Sequence, residues 1–319
     1  MGVVVKRFLD NNTFMNKTIF LLLMLVLSFT GNAQINMADS TVQVIGYWSI
    51  DDTQSYQVSL EKYKIKDGDT SARNFIKYEV DITIKDSTAD SYLIEWFYKN
   101  YEIETDNELL QKLSKISEDL PVIIKTDEFG AIQEVINWEE VGSYMEKAMG
   151  LIQVEFGHFP NFDQTMAQFM GAYKSKAAIE GNAIKDALQF YTYHGGAYTL
   201  NEEINGQMQL MNNFGGAPFD TEVAVVLDEI DEESGSSIIR MFQEVNSEQL
   251  TNATYDFLET LTGLKGKLPA RENFPALTNK TWTASRIHAA TGWTTYSIET
   301  KEVHAEGTTN VEERIIQIK

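Results

Sequence analysis

Lys77-Tyr78-Glu79-Val80-Asp81-Ile82-Thr83-Ile84 is followed, across the polar break Asp86-Ser87-Thr88-Ala89-Asp90, by Tyr92, Ile94, Trp96 and Tyr98. In both runs apolar residues alternate with polar or charged ones. That is the period-two pattern of strands with one buried and one wet face. Two such runs joined by a short Asp/Ser turn read as an antiparallel hairpin. Working outward, Val122–Thr126 and Ile132–Ile136 form a second hairpin around Asp127-Glu128-Phe129-Gly130. Thr294–Glu302 and Val311–Ile318 form a third around Glu306-Gly307.

Helices show in their start signals. Thr105-x-x-Glu108 has the form of a capping box ahead of Leu109, Leu113, Ile116 and Leu120. Asn137-x-x-Glu140 starts a second helix, expected to run to about Met149, and Asn246-x-x-Gln249 starts another before Leu250, Phe257 and Leu261. Asp163 to Leu188 reads as helical with one or two breaks near Gly171 and Gly181. The order Glu79-Val80, acidic turn, Ser91–Phe97, capped helix returns about 140 residues later. There it runs Glu222-Val223, the acidic turn Asp228–Gly235, Ser236–Phe242, capped helix. Hairpin-then-helix is a common order, so duplication and chance likeness both stay open.

The expected fold is α+β, a large curved antiparallel sheet resembling a half-barrel, with helices packed on one face. Residues 34–319 read as a single domain. Its two similar halves, about 43–150 and 188–319, are joined by the helical segment 151–187.

The N-terminus carries Lys6, Arg7 and Lys17, then the apolar run Ile19–Phe29, then Thr30-Gly31-Asn32-Ala33. A basic region, a short apolar core and a small-x-small site in that order predict an export signal over residues 1–33, cleaved before Gln34. The apolar run falls short of the about 20 residues that span a bilayer. The chain has no cysteine. Disulfides, thiol catalysis, thiolate metal sites and a lipidated cysteine after cleavage are therefore excluded. The expected product is a soluble exported protein, periplasmic or extracellular, with neither a lipid anchor nor a transmembrane segment.

Residues 1–33 hold three of the 26 Lys and Arg and one of the 47 Asp and Glu. The 286 residues that follow keep 23 basic against 46 acidic side chains, a net charge of −23. Such a body repels phosphate backbones, which makes nucleic acid an unsuitable partner.

Gly46-Tyr47-Trp48 with Tyr56-Gln57-Val58, and Ile124–Gly130 leading to Glu134–Val141, resemble a pattern in secreted bacterial proteins without an assigned activity. That resemblance implies no site residues. The expected architecture is also similar to the periplasmic lipoprotein-carrier half-barrel and its lipid-binding mycobacterial relatives. There a curved sheet and its covering helices enclose an apolar cavity for acyl chains.

Catalytic and metal motifs are not found. There is no G-x-S-x-G, and Ser234-Gly235-Ser236-Ser237 falls at an expected hairpin turn. His158, His194, His288 and His304 make no ligand pair, and His194 before Gly195-Gly196 reads as part of a flexible turn. The acids of Asp228–Gly235 do not have calcium-loop spacing, and Gly215-Gly216 lacks the neighbours of a phosphate loop. No cofactor and no enzymatic activity are expected.

One stretch offers more than scaffold. Met145 and Met149, then Met166 and Met170, are pairs four residues apart, and Phe156, Phe159, Phe162 and Phe169 lie between or beside them. Flexible thioethers among phenyl rings suit an adaptable apolar surface, although the same spacing also serves to pack helices on a sheet. The leading expectation is a cavity between sheet and helices, lined by these eight residues, for a lipid, acyl chain or other apolar ligand. The alternative is a non-catalytic envelope protein that binds another protein.

Overall fold

The computed structural model describes residues 34–319 apart from 106, 159–161, 262 and 265. The expected export signal and Phe159 lie outside the described residues. Ile35–Lys319 forms one compact unit.

Strands appear where the alternation placed them, and they are long. In chain order the first seven are β1 (Ile35–Asn36), β2 (Thr41–Gln43), β3 (Thr53–Lys66), β4 (Asp69–Ser87), β5 (Ser91–Glu104), β6 (Pro121–Asp127) and β7 (Ile132–Val135). The second seven are β8 (Ala197–Thr199), β9 (Glu203–Leu210), β10 (Phe219–Asp231), β11 (Ser236–Val245), β12 (Thr278–His288), β13 (Thr294–Ala305) and β14 (Thr308–Ile318). Eleven of them make one open antiparallel sheet in the order β7-β6-β5-β4-β3-β14-β13-β12-β11-β10-β9. β1, β2 and β8 make a small second sheet.

The large sheet is two meanders joined edge to edge. β3 to β7 run outward from the centre, and β9 to β14 run back to it. The last strand therefore pairs with the first long one, with Arg314 opposite Leu60 and Ile316 opposite Val58. Each half carries a hairpin followed by a helix. β4-β5 precedes α1 (Glu108–Ser114), and β10-β11 precedes α6 (Ser247–Thr260).

Between the halves come α2 (Trp138–Phe156), α3 (Phe162–Gly171), α4 (Lys176–Ala178), a π-helical turn (Ile179–Ala183) and α5 (Lys185–Tyr191). α2 runs seven residues beyond the expected Met149, because Ile152 and Phe156 extend the buried stripe begun by Val141, Met145 and Met149. α1 stops at Ser114, earlier than expected, and Ile116 and Leu120 reach the core from turns.

The register explains the main core. Val58 faces Tyr78, Tyr56 faces Val80, Ile82 faces Trp96, Ile84 faces Ile94 and Ile94 faces Ile124. All are buried on one face, under α2 and α5. Two smaller clusters continue on the C-terminal half, one around Val42, Tyr193, Leu227 and Ile239 and one beneath α6.

Asn246 caps α6 as expected, its Oδ1 accepting from Gln249 N at 3.0 Å. Asn137 does not cap α2. Its Oδ1 accepts from Ile123 N at 2.8 Å and its Nδ2 donates to Pro121 O at 3.0 Å, tying the helix start to β6. Edge strand β7 is closed by the π-helical turn, where Glu180 accepts from Val135 N at 2.9 Å. A carboxylate there satisfies an edge donor that would otherwise invite another strand.

Trp48 is the hub of an aromatic group that fastens the segment before β3. Its ring centroid is 5.1 Å from both Tyr92 and Trp293 and 5.6 Å from His194. Gly46 and Gly130 lie against its ring, where a Cβ would come within 2.6 and 2.8 Å, and Gly130 also has φ +96°. Only glycine meets both demands at position 130.

His194 does not sit in a flexible turn. It is 6% exposed, its ring stacked among Phe190, Tyr191 and Trp48. Nε2 lies 2.8 Å from Gly292 O, a carbonyl that can only accept, so Nε2 carries the proton. Burial pushes the His194 pKa down to about 4, against smaller upward pulls from backbone contacts and Asp127.

The unfolded chain therefore takes up a proton near pH 6.5 that the folded chain refuses until about pH 4. Stability from this group is complete above pH 6.5 and falls as pH drops through that window. Urea titrations at pH 7.5 and 5 should differ by about 2 kcal/mol on this account. His194→Gln should abolish most of that difference, and an unchanged pH dependence in the variant would contradict it.

Candidate functional site

α5 lies across the junction of the two meanders, and its side chains show how it is held. Phe190 packs edge-on to Tyr56 and Trp96. Gln189 Nε2 donates to Ser297 Oγ at 2.9 Å, and Ser285 and Ser297 hydroxyls are 2.8 Å apart. Asp186 meets Arg314, whose Nε is 2.9 Å from Asp186 Oδ1. The other nitrogens of Arg314 are 3.1 Å from Glu299 and 3.0 Å from Glu312. Tyr78 donates its hydroxyl to Asp186 Oδ2 at 2.6 Å.

Burial works against the Arg314 charge, but attraction to Asp186, Glu299 and Glu312 outweighs it and raises its pKa. Burial likewise disfavours the Glu312 carboxylate, and Lys185, Lys62 and Arg314 overcome this and hold its pKa at about 2.

Beside this group is a cavity of about 210 Å³ between the sheet and the helices. Its walls are apolar, including Leu113 of α1, Leu120 from the turn before β6, Val122 of β6, and Val141, Met145 and Ile179 from the helical layer. Its polar end gathers Tyr78, Tyr98, Tyr101, Tyr173, Ser117, Asp186 and Arg314. Tyr78 stacks on Tyr101 at 4.7 Å. Burial raises the pKa of all four tyrosines, and Asp186 adds to the rise. Ser117 contacts offset part of it for Tyr101 and Tyr173. The phenols therefore stay protonated and offer both donors and acceptors. Ile76 and Leu60 are only partly buried and Lys185 is exposed, which puts the mouth at their end of the cavity.

Of the residues expected to line an apolar site, Met145 and Phe169 border this cavity. Met149, Phe156, Phe162 and Met166 are buried in the main core, and Met170 is partly buried against it. The tyrosines, Asp186 and Arg314 were not anticipated. Arg314 had a legible signal, because it shares strand parity with Ile316 and Ile318 and so points to the apolar face.

A larger hollow of about 330 Å³ lies on the opposite face of the sheet over Ala224, Val226, Phe242, Trp282, Ala284 and Ile298. Its titratable lining residues are Glu203 and Arg240. Arg240 at its rim is paired with Asp228 at 2.8 Å. Among the described residues no His, Asp or Glu cluster could hold a metal ion, and no helix is long and apolar enough to cross a membrane.

The chain matches no family model and no curated protein. Among solved structures it is similar to lipovitellin, studied for its lipid–protein interactions, at 7% identity and a TM-score of 0.41. That match covers 85% of this chain and 25% of the lipovitellin chain, so the chain spans a quarter of its length. An outer membrane channel of Pseudomonas putida F1 matches at 6% identity and a TM-score of 0.16, covering 89% of this chain and all of the channel.

The polar end makes a contrast testable. Tyr78 and Tyr98 are equally buried, but only the Tyr78 hydroxyl bonds to a charged partner. Tyr78→Phe should lower unfolding free energy by about 1.5–3 kcal/mol, and Tyr98→Phe by less than about 1. Equal losses in urea titrations would contradict the assigned roles.

Proposed function

We propose that this chain is an exported binding protein that holds one small amphiphile in the cavity between sheet and helices. The observation that carries this reading is the cavity's polarity, with apolar walls and phenolic hydroxyls gathered at one end. Sites for small molecules have that composition, a mostly apolar lining with a few placed polar groups.

The volume narrows the ligand. An apolar cavity of about 150 Å³ accepts benzene, whereas drug-sized ligands need about 300–1,000 Å³. At about 210 Å³ this cavity takes one ring or one short chain and has no room for two acyl chains. Export rests on residues 1–33, whose charge and apolar pattern is that of a cleaved leader.

The alternative, a protein-binding envelope component, finds support in edge strand β9. Its residues Glu203–Gln209 are exposed, among them Ile204 and Met208. Bare edges can accept a partner's strand.

Native mass spectrometry of the chain exported by its own leader, followed by titration with 4-ethylphenol, separates these readings. The expected result is a chain that begins at Gln34 and carries, or takes up, one small molecule. Binding should be lost in Val141→Phe, which fills the cavity. A clean mass with no 4-ethylphenol uptake would overturn the ligand reading and favour the partner-protein one.

A further inference from the structure

A guanidinium in a pocket wall ordinarily announces a carboxylate or phosphate ligand. Here that charge is already spent. Each of the three Arg314 nitrogens stands 2.9–3.1 Å from a carboxylate, Asp186, Glu299 or Glu312, and its side chain is 4% exposed. Asp186 is occupied in turn by Tyr78. Glu312 also meets Lys62 at 2.9 Å and Lys185 at 3.8 Å. Both cations of the cavity lining, Arg314 and Lys185, are thus already held by carboxylates.

An arriving carboxylate would lose its water and find no unpaired cation, while Asp186 stands in the wall to repel it. The groups with capacity to spare are neutral: the hydroxyls of Tyr98, Tyr101, Tyr173 and Ser117 at the same end. A hydroxyl both donates and accepts, so this set can serve a head group that does either.

Resting on the pocket reading above, we infer that the ligand is uncharged at its polar end, a phenol, alcohol or carboxamide, and that the site discriminates against carboxylates despite Arg314.

The test uses 4-methylbenzamide and 4-methylbenzoate, which share a shape and differ in charge, titrated calorimetrically at pH 7.5. The amide should bind the wild-type protein at least tenfold more tightly. Glu299→Gln releases one Arg314 nitrogen. It should raise benzoate affinity several-fold and leave amide affinity within twofold. Equal or tighter benzoate binding by the wild-type protein overturns the inference and leaves the pocket reading intact. A Glu299→Gln protein with unchanged benzoate affinity overturns it too. Silence from both ligands overturns the pocket reading and the inference with it. The wild-type pair of titrations decides the matter even if the variant does not fold.

Discussion

A buried guanidinium at the middle of the sheet constrains everything around it. Taking Arg314 out of water costs several kcal/mol unless its charge and N–H groups are met. Three carboxylates surround it, from α5, β13 and β14 itself: Glu299 and Glu312 accept hydrogen bonds from its terminal nitrogens, and Asp186 balances its charge from beside Nε. Those partners come from the helical layer and from the C-terminal meander, while Leu60 across the strand pair belongs to the N-terminal one. Tyr78 and Lys62 of the N-terminal meander bond in turn to Asp186 and Glu312, so the charged group ties together three parts of the chain that hydrophobic burial alone would allow to slide. Apolar contacts are non-directional, whereas a guanidinium with three fixed partners admits one arrangement.

The cavity follows from that arrangement. α5 is pinned at the meander junction by Asp186, Gln189 and Phe190. α2 lies along β6 with Asn137 fixing its start. The π-helical turn before α5 contributes Ile179 and Ala183 to the lining. Such turns are wider than α-helical ones and recur at functional sites. Helices held at separate points over long, twisted strands leave an unfilled space between them. The aromatic side chains of β4 and β5 give that space its polar end.

What the sequence revealed followed the range of the physics involved. Alternation is local, so the hairpins at Lys77–Tyr98 and Val122–Ile136 could be read directly, as could the glycine turn before β14. The Asn246 cap is equally local. Asn137 had the same signature, yet its side chain serves β6, because tertiary partners outbid a local cap. Strand order was hidden, since β14 pairs with β3 across most of the chain and no short pattern records that. The methionine and phenylalanine stretch was read from helical spacing, which places a residue on a face but does not say whether a gap lies beneath it. Only Met145 and Phe169 stand at the gap. His194 looked mobile beside two glycines, but those glycines let the backbone turn so that the ring could be buried.

The claim at the centre of this account is that Asp186 and Arg314 act as a unit. A double-mutant cycle with Asp186→Asn and Arg314→Met, read by urea unfolding, addresses it directly. Arg314→Met should cost about 3–5 kcal/mol by leaving buried Asp186 without its cation, Asp186→Asn less because Arg314 keeps Glu299 and Glu312, and the double mutant should cost well below the sum. A coupling on the order of 2 kcal/mol or more is the predicted result. Additivity within about 0.5 kcal/mol would contradict it and remove the junction from its central place.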